Sequence, residues 1–378
     1  MITDNNYLII GNGFDIAHGF KTAYTDFLPI LKQKVHGSFS EAFEKVQACI
    51  AAGRKWENDI PEFWKPYIEC IEKPENVDIK EIRRMEELLQ KNSWAKYYGS
   101  CNAEIQGWID FEAEMKPVFS MFQELFSAAK GSAVIKSGDK PEVIISNVSN
   151  EVCRMARLWG DFIGSADSTQ HTVRFSSKYC DFQYGLFKEK ILDDLKRDLD
   201  NFIEAFRIYL VQIVGNQKFT EDTVISNIKA TEILSFNYTN TEQRYGNLKD
   251  AKTHYIHGSV NAPGSMVLGV NEVENDSDDL FIYFVKYFQR IRRRIGNDYR
   301  HLSEGKKHPY YLTVYGHSLD ITDEDILKPL LDYAKGVTIY FYDDMDYEKK
   351  VINLIKMSDK DIVQERLFEG KYNFVPTR

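Results

Sequence analysis

The chain has 378 residues, enough for one large or two medium domains, and its 43% apolar and 13% aromatic residues are sufficient for a sizeable core. Its 57 acidic and 48 basic residues give a net charge of −9, which argues against a general nucleic-acid-binding protein. The five cysteines form no CxxC pair, so we predict reduced thiols, no zinc site and a cytoplasmic location. The N-terminus lacks the basic and apolar regions of a signal peptide, and no run of about 18 apolar residues occurs, so we expect no membrane span.

The first predicted element is a buried strand, Tyr7–Ile10, which runs into the glycine-containing turn "GNGFDIAHG". Glycine lets the backbone approach a ligand, and the helix that follows offers unpaired N–H groups and the positive end of its dipole. These features are typical of a phosphate-binding turn. The spacing G-x-G-x5-G differs, however, from the dinucleotide fingerprint G-x-G-x-x-G, so a tight strand–helix turn that needs glycine is the alternative.

The pattern becomes helical between residues 39 and 216, where apolar residues recur every three or four positions. The longest predicted helix covers residues 187–213, and its apolar seam resembles that of a coiled coil. Two further helices are predicted over residues 79–97 and 107–128, with Pro117 as a kink or a break.

Strand patterns return after residue 230, and helices are predicted to follow the later ones. Apolar strands separated by helices favour a parallel sheet that is covered on both faces. We therefore predict a Rossmann-like α/β domain assembled from both chain ends, residues 1–38 and 225–378, with a large α-helical insertion over 39–224. The predicted strands are Glu232–Phe236, Thr313–Tyr315 and Val337–Tyr342, with weaker candidates near His254 and Met266, and the predicted helices are Asp279–Ile295 and Glu348–Met357.

Polar residues follow two of these strands, at the edge where open α/β sheets bind their ligands. After the first strand comes "NYTN", in which Asn237 has an amide that can hold a water or a sugar hydroxyl, although asparagine is also a common turn residue. After the second comes His257, which precedes a glycine. A histidine there can act as a general base or bind a ribose hydroxyl, and a purely structural role is the alternative.

A third strand, Thr313–Tyr315, runs into the polar segment "YGHSLDITDED", in which Gly316 and Ser318 are candidates for contacts to a ribose or an adenine. The acidic residues that follow predict a helix N-terminus with Asp320 or Thr322 as its cap.

Two charged segments carry weaker signals. In "WIDFE", Trp108, Asp110 and Glu112 stand together, and a cap or a salt bridge is a safer interpretation than a catalytic carboxylate pair. In "QRIRRR", the arginines 290, 292, 293 and 294 predict a solvated helix face, with an interface or an anion site as the alternative.

The order of these segments resembles that of sirtuin-like NAD-binding domains, which pass from a glycine turn to an Asn-bearing strand end, a His-Gly pair and a Gly-x-Ser-Leu segment. More specifically, "LIIGNGFDIAHGFKTAYTDF" resembles the N-terminus of the AbiH family, which is implicated in bacterial abortive infection against phage. The segments "WIDFE", "LSFNYTNT", "IHG" and "YGHSLD" are also similar to that family's motifs. The cysteine pairs of the sirtuin zinc module are missing, and "FKTAY" replaces the proline and arginine after the sirtuin glycine turn, which disfavours a protein deacylase.

The resemblance implies an antiphage effector that hydrolyses NAD at the nicotinamide–ribose bond without a metal. One alternative is a non-catalytic sensor that binds NAD or ADP-ribose. A third candidate, an RNA-binding or nuclease toxin, is disfavoured by the acidic net charge and by the lack of a carboxylate cluster with metal-binding spacing, and metal-independent cleavage of RNA would restore it. A toxic hydrolase must be held inactive, so we expect the helical insertion to gate it, either by covering the cleft or through a homo-oligomer, until a phage-derived trigger arrives. The resemblance implies Asn237 and His257 as catalytic residues. Asp15, at the mouth of the glycine turn, is a further catalytic candidate that would stabilise the cationic sugar or bind a ribose, and a helix cap is the alternative. The NAD-binding candidates are Gly11, Asn12, Gly13, Phe14, Gly19, Tyr238, Thr239, Gly316, His317 and Ser318.

Overall fold

The computed structural model describes residues 5–31, 37–100, 112–130, 132, 134–137, 139–273, 279–303 and 309–377. The chain divides into two compact units. The first consists of Met1–Thr22, Val214–Val267 and Arg290–Arg378, and the second of Ala23–Ile213 and Leu268–Gln289. The domain bounds inferred from the sequence, at 38/39 and 224/225, stay a prediction.

The described strands fall into one parallel sheet in the first unit and two antiparallel sheets in the second. In chain order they are β1 (Asn5–Ile10), β2 (Val134–Ser137), β3 (Lys140–Ser146), β4 (Ile163–Asp167), β5 (Thr172–Phe175), β6 (Cys180–Asp181), β7 (Gly185–Leu186), β8 (Glu232–Ser235), β9 (Lys252–Tyr255), β10 (Tyr310–Tyr315), β11 (Gly336–Phe341) and β12 (Tyr372–Pro376).

The described α-helices are α1 (Asn12–Ala17), α2 (Tyr24–Leu31), α3 (Phe39–Ala51), α4 (Lys65–Ile68), α5 (Ile79–Gln90), α6 (Ser93–Ser100), α7 (Met115–Ala129), α8 (Asn150–Ala156), α9 (Lys188–Gln212), α10 (Lys286–Arg292), α11 (Glu324–Tyr333), α12 (Asp344–Met357) and α13 (Lys360–Phe368). No described helix combines the length and the apolar character that a membrane span requires.

The sheet of the first unit has six strands in the order β12-β11-β10-β1-β8-β9, and all neighbours are parallel. Numbered along the chain, these six strands follow the order 3-2-1-4-5-6, which is that of doubly wound, Rossmann-type sheets. The chain runs outward from β1 to β9 on one side and from β10 to β12 on the other. The direction therefore reverses between β1 and β10, and this is where ligands bind in such sheets. The predicted parallel sheet from both chain ends is confirmed.

Both faces of this sheet are covered, which explains why β1 is apolar at successive positions. Ile9 packs in a cluster with Leu327 of α11 and Leu354 of α12. Its neighbours Leu8 and Ile10 point to the opposite face, because side chains alternate along a strand, and they pack in a second cluster.

The second unit is built around α9, whose apolar seam is interior. Leu195, Leu199 and Phe202 are fully buried, and the ring of Phe202 lies 5.8 Å from that of Phe27. Core packing within the unit therefore accounts for the seam that the sequence likened to a coiled coil.

The same unit contains a four-stranded antiparallel sheet, β2-β3-β5-β4, which the sequence analysis missed. Along β3 the buried Val143 and Ile145 are separated by a partly exposed residue. This is the two-residue period of a strand, but it is too short to stand out among helical segments.

Several predicted elements have different bounds in the structure. The segment near Met266 forms no strand, only an isolated bridge between Val270 and Val285. The predicted helix over 79–97 is two helices, because the side chain of Asn92 accepts a hydrogen bond from Ala95 N–H and so caps a new helix. The predicted helix Asp279–Ile295 is shortened to α10, behind a 3-10 turn at Ile282–Phe284.

The "WIDFE" segment lies only partly within the described residues. Trp108 and Asp110 fall outside them, whereas Glu112 is buried and forms an ion pair of 2.6 Å with Lys286. The salt-bridge interpretation therefore holds for Glu112. Pro117 lies in the first turn of α7, where a missing N–H breaks no helical hydrogen bond.

Candidate functional site

The turn after β1 is in direct backbone contact with the end of β10. Gly13 N–H donates to Gly316 O at 2.8 Å, and Phe14 N–H donates to Gly11 O at the same distance. A Cβ on Gly11 would lie 2.8 Å from His317 Cα, and one on Gly13 would lie 2.8 Å from Gly316 Cα. The steric interpretation therefore explains Gly11 and Gly13 without a ligand.

Gly316 is constrained in two ways. Its φ of +68° lies in the left-handed region, and an added Cβ would stand 2.1 Å from Phe14 N. Gly19 also has a positive φ, +74°, but nothing lies within 4 Å of its Cβ position. It follows the end of α1, where a glycine allows the left-handed turn that ends a helix.

The two other binding candidates in α1 differ in exposure. Asn12 is the first residue of the helix and is half-buried. Phe14 is fully buried, and its ring packs edge-on against Tyr245 and Tyr315. The structure thus gives Phe14 a core position.

Asp15 is a buried carboxylate at the carboxyl edge of the sheet. Only 1% of it is exposed, and Thr239 Oγ1 donates a hydrogen bond of 2.5 Å to its Oδ2. Burial raises the pKa of Asp15 to about 6, against the lowering effect of the Thr239 and Thr241 hydroxyls and of the Arg244 charge. The structure thus brings the predicted residues Asp15 and Thr239 together.

A second buried carboxylate, Glu242, lies close to the first. Its Oε1 accepts a hydrogen bond of 2.5 Å from Tyr255 Oη. Burial raises the pKa of Glu242 to about 7, and the negative charge of Asp15 adds to the shift. Glu242 was not predicted from the sequence, although it stands only five positions after Asn237 in the same polar segment.

Asn237 follows β8 and is 5% exposed. Its Nδ2 is buried and has no hydrogen-bond partner among the described residues. A buried amide normally has a partner, so this donor is available to a water or a ligand. The next residue, Tyr238, is anchored by its hydroxyl, since Tyr238 Oη donates to Val267 O at 2.6 Å.

His257 follows β9 and faces a buried carboxylate. Its Nε2 lies 3.1 Å from Asp323 Oδ1, and both side chains are at most one-tenth exposed. His317, after β10, approaches the same carboxylate with an Nε2–Oδ2 distance of 3.6 Å. The ring of Phe236 lies 4.3 Å from that of His317 and 5.5 Å from that of His257. We call His257, Asp323 and His317 the His–Asp–His cluster.

The tautomer of His317 follows from its second contact. His317 Nδ1 accepts the N–H of Leu319 at 2.9 Å, so in the neutral ring the proton is on Nε2, which faces Asp323. Leu319 has a φ of +55°, a strained conformation that turns its N–H back toward the imidazole. Asp323 itself was missed, although it belongs to the acidic segment "DITDED". In that segment Asp320 is the cap, with its carboxylate accepting Thr322 N–H at 3.0 Å.

Next to Gly316 lies a cavity of about 380 Å³, at the carboxyl ends of β10, β11 and β12. This volume is typical of a small-molecule pocket, for which the usual range is about 300–1,000 Å³. Ser318, Tyr342, Asp346 and Lys350 line it, together with Gly13. Of the predicted binding residues, Gly13, Gly316 and Ser318 therefore line a ligand-sized space.

His254 and the described cysteines lie outside the clusters described above. His254 Nε2 lies 2.5 Å from Glu232 Oε2, on the strands themselves. Cys49, Cys70, Cys153 and Cys180 are free thiols, and Cys101 lies outside the described residues. Within the described ranges, no group of three or more His, Cys, Asp or Glu side chains is placed to hold a metal ion.

The fold and the site together define a doubly wound α/β protein whose polar side chains gather at the carboxyl edge of the sheet, on both sides of the switch point. Along the chain, the family model for bacteriophage abortive infection, AbiH, matches residues 7–343. The protein therefore belongs to the AbiH family, as the resemblance of its motifs predicts, and this membership indicates a role in phage abortive infection. No curated protein and no solved structure matches the chain.

Proposed function

We propose that the protein is an antiphage abortive-infection effector that hydrolyses NAD at the nicotinamide–ribose bond. The observation that carries the proposal is the position of Asn237 and His257. They follow the adjacent parallel strands β8 and β9, so both residues lie at the same edge of the sheet. The Nε2 atom of His257 lies 3.1 Å from Asp323 Oδ1, which holds the ring in place. An orphan amide donor and an oriented imidazole are what a water-dependent cleavage of a sugar–base bond requires.

In the proposed reaction, the bond between ribose C1′ and the nicotinamide nitrogen breaks, and its electron pair leaves with nicotinamide as a neutral molecule. The ribose passes through an oxocarbenium-like transition state. Water adds to C1′ and loses one proton, giving ADP-ribose. Because positive charge develops on the sugar, nearby carboxylates lower the barrier electrostatically.

Each of four residues has a separate role in this reaction. Asn237 Nδ2 orients the water or a ribose hydroxyl. His257 accepts the proton of the water or polarises a ribose hydroxyl, and Asp323 fixes the orientation of its ring. Asp15, with a pKa of about 6, is ionised at neutral pH and stabilises the cationic sugar.

The other end of NAD is proposed to lie beside Gly316 and Ser318, in the cavity of about 380 Å³ that these residues line. The glycine turn stands between the two ends, with Gly13 at the cavity and Asp15 at the Thr239 side. Because the N–H groups of Gly13 and Phe14 are already bonded within the protein, they donate no hydrogen bond to the pyrophosphate.

The test is incubation of the purified full-length chain with NAD, alone and with phage lysate, while free nicotinamide is measured by chromatography. We expect release, and we expect Asn237→Ala and His257→Ala to abolish it. His254→Ala is the matched control, because it removes a buried imidazole from β9 that pairs with Glu232 rather than Asp323. Circular dichroism confirms that each variant is folded.

Two outcomes would contradict the proposal in different ways. A wild-type protein that releases no nicotinamide under either condition overturns the hydrolase. Release that survives both substitutions places the reaction at another site.

The alternative function is a sensor that binds NAD or ADP-ribose without turnover. It is favoured by the closed state of the edge, since Asn237 and His257 are only 5% and 6% exposed and Gly13 is bonded directly to Gly316. Saturable binding of NAD without nicotinamide release would select this function.

A further inference from the structure

The cavity at the ends of β10, β11 and β12 has a charge pattern that the cleavage step does not use. Lys350 is 2% exposed, and its Nζ forms an ion pair with Asp346. Asp222 adds a second carboxylate to the lining. Among the described lining residues, Lys350 is the only cation, so two negative charges face one positive charge.

The N-terminus of α12 reinforces this pattern. A helix N-terminus ordinarily attracts an anion, because its first N–H groups have no partners. Here Asp343 Oδ1 accepts Asp346 N–H at 2.8 Å, and Asp346 Oδ2 accepts Tyr342 N–H at 3.0 Å. Carboxylates of the chain itself therefore accept the N–H groups at this helix N-terminus. A phosphate bound there would be repelled by their negative charge.

Asp222 is held in place from three sides. Its Oδ1 accepts the N–H groups of Val224 and Ile225 at 2.8 and 3.1 Å, and its Oδ2 accepts Tyr315 Oη at 3.3 Å. A fixed carboxylate is suited to accept hydrogen bonds from sugar hydroxyls. The cavity walls also include the aromatic side chains of Tyr315 and Tyr342, which are suited to contact a base.

We propose that this cavity binds the adenosine half of the dinucleotide through a free 2′-hydroxyl and rejects a 2′-phosphate, so that the protein uses NAD and not NADP. The inference rests on the proposed function for the identity of the ligand. Carboxylates recognise the ribose 2′-hydroxyl of NAD in doubly wound folds, whereas a 2′-phosphate requires an arginine or another unpaired cation. The only lysine in the described lining is neutralised by Asp346.

The experiment measures binding and turnover separately. ADP-ribose and 2′-phospho-ADP-ribose are titrated into the wild-type chain by calorimetry, and nicotinamide release is followed from NAD and from NADP. We expect ADP-ribose to bind at least about tenfold more tightly than its 2′-phosphate. Selective binding without nicotinamide release overturns the hydrolase and leaves the specificity standing.

A single substitution should weaken the discrimination against the 2′-phosphate. Asp346→Asn leaves the charge of Lys350 unpaired, and we expect it to reduce the preference for ADP-ribose by about tenfold or more. Asp344→Asn is the matched control, because it removes a charge from the same helical turn at an exposed position that does not line the cavity. The Asp344→Asn variant should prefer ADP-ribose over 2′-phospho-ADP-ribose to the same degree as the wild type.

Three results would overturn the specificity. They are equal binding of the two ligands by the wild type, binding of neither ligand, and equal shifts in Asp346→Asn and Asp344→Asn. If Asp346→Asn fails to fold, the wild-type comparison of the two ligands still decides the question.

Discussion

His257 and Asp323 come from different parts of the chain, and their side chains meet at 3.1 Å inside the carboxyl edge of the sheet. His257 follows β9, and Asp323 immediately precedes α11. A carboxylate that faces an imidazole fixes the orientation of the ring, and this pairing is common where histidine transfers protons.

The first prediction concerns this carboxylate. Asp323→Asn keeps the size of the side chain and removes its charge, so His257 loses its orientation and its electrostatic support. We expect nicotinamide release to fall at least about tenfold, since a positioned base contributes about 10²–10⁴-fold. The measurement is kcat over a range of pH, together with the Kd for NAD, which should change little.

Asp325→Asn is the control for this prediction. Asp325 is two residues away and pairs with Arg290 at the surface, with 58% of its side chain exposed. It should retain wild-type activity. An equal loss in both variants would indicate a general effect of charge rather than a role for the His257–Asp323 pair.

The second prediction distinguishes two reasons why Gly316 must be a glycine, the backbone strain of its positive φ and the steric clash that a Cβ would cause. Gly316 and Gly370 share a φ of +68°, but only Gly316 has backbone atoms in the way of a Cβ, the nearest at 2.1 Å. Gly370→Ala should cost about 1 kcal/mol in unfolding free energy, which is the strain of a non-glycine residue at positive φ. Gly316→Ala should cost more, because the turn after β1 must also move.

Thermal and urea denaturation of the two variants provide the measurement. If the two variants lose similar amounts of unfolding free energy, the backbone at the Gly13–Gly316 contact moves to accommodate a Cβ at little cost. Such a result would also weaken the steric interpretation of the glycine turn.

The sequence was sufficient to predict the strands that are buried on both faces. Apolar runs such as Leu8–Ile10 are stable only where both faces of a strand are buried. The glycine turn and the polar residues that follow the strands then indicated the carboxyl edge of the sheet, where ligands bind in open α/β sheets. β12 was missed because an edge strand is only half-buried, and its exposed Pro376 does not suggest a strand.

The site was predictable only in part, for a related reason. Asn237 and His257 follow recognisable strands, so their position at the edge could be inferred. Asp323 and Glu242 lie in 3-10 turns, where no periodicity signals burial. Their importance depends on contacts with Tyr255 and His257 that become visible only in the folded chain.

The third prediction concerns the apolar seam of α9. Leu199 is fully buried within the second unit, so Leu199→Ala should lower the unfolding free energy by about 2–5 kcal/mol through the loss of contacts and the cavity left behind. Lys196→Ala, on the same helix, removes a pair with the exposed Asp193 and a cation–π contact of 5.5 Å with the ring of Tyr283. It should cost less than Leu199→Ala, about 1 kcal/mol.

Size-exclusion chromatography of Leu199→Asp tests the competing idea that the seam joins two copies. We expect this variant to unfold or aggregate. A folded Leu199→Asp protein with a smaller assembly size would show that the seam is an interface.

The fourth prediction concerns pH and the buried carboxylate Glu242. Its pKa in the folded protein, about 7, lies above the ordinary value of 4.5, so the folded state binds this proton more tightly than the unfolded state does. The resulting stabilisation is fully present below about pH 4.5 and is lost as the pH rises through about 7. Ionised Glu242 is therefore a cost to the folded protein at alkaline pH.

Glu242→Gln keeps the acceptor for Tyr255 and removes the ionisation. We expect its unfolding free energy to be close to that of the wild type at pH 5 and to exceed it at pH 8, with about 1.4 kcal/mol for each unit of pKa shift as the scale. Urea denaturation at the two pH values measures the difference, and Glu348→Gln on the exposed face of α12 serves as the control. A constant difference between Glu242→Gln and the wild type at both pH values would show that Glu242 does not titrate in this range. It would also remove the support for an electrostatic coupling between Glu242 and Asp15.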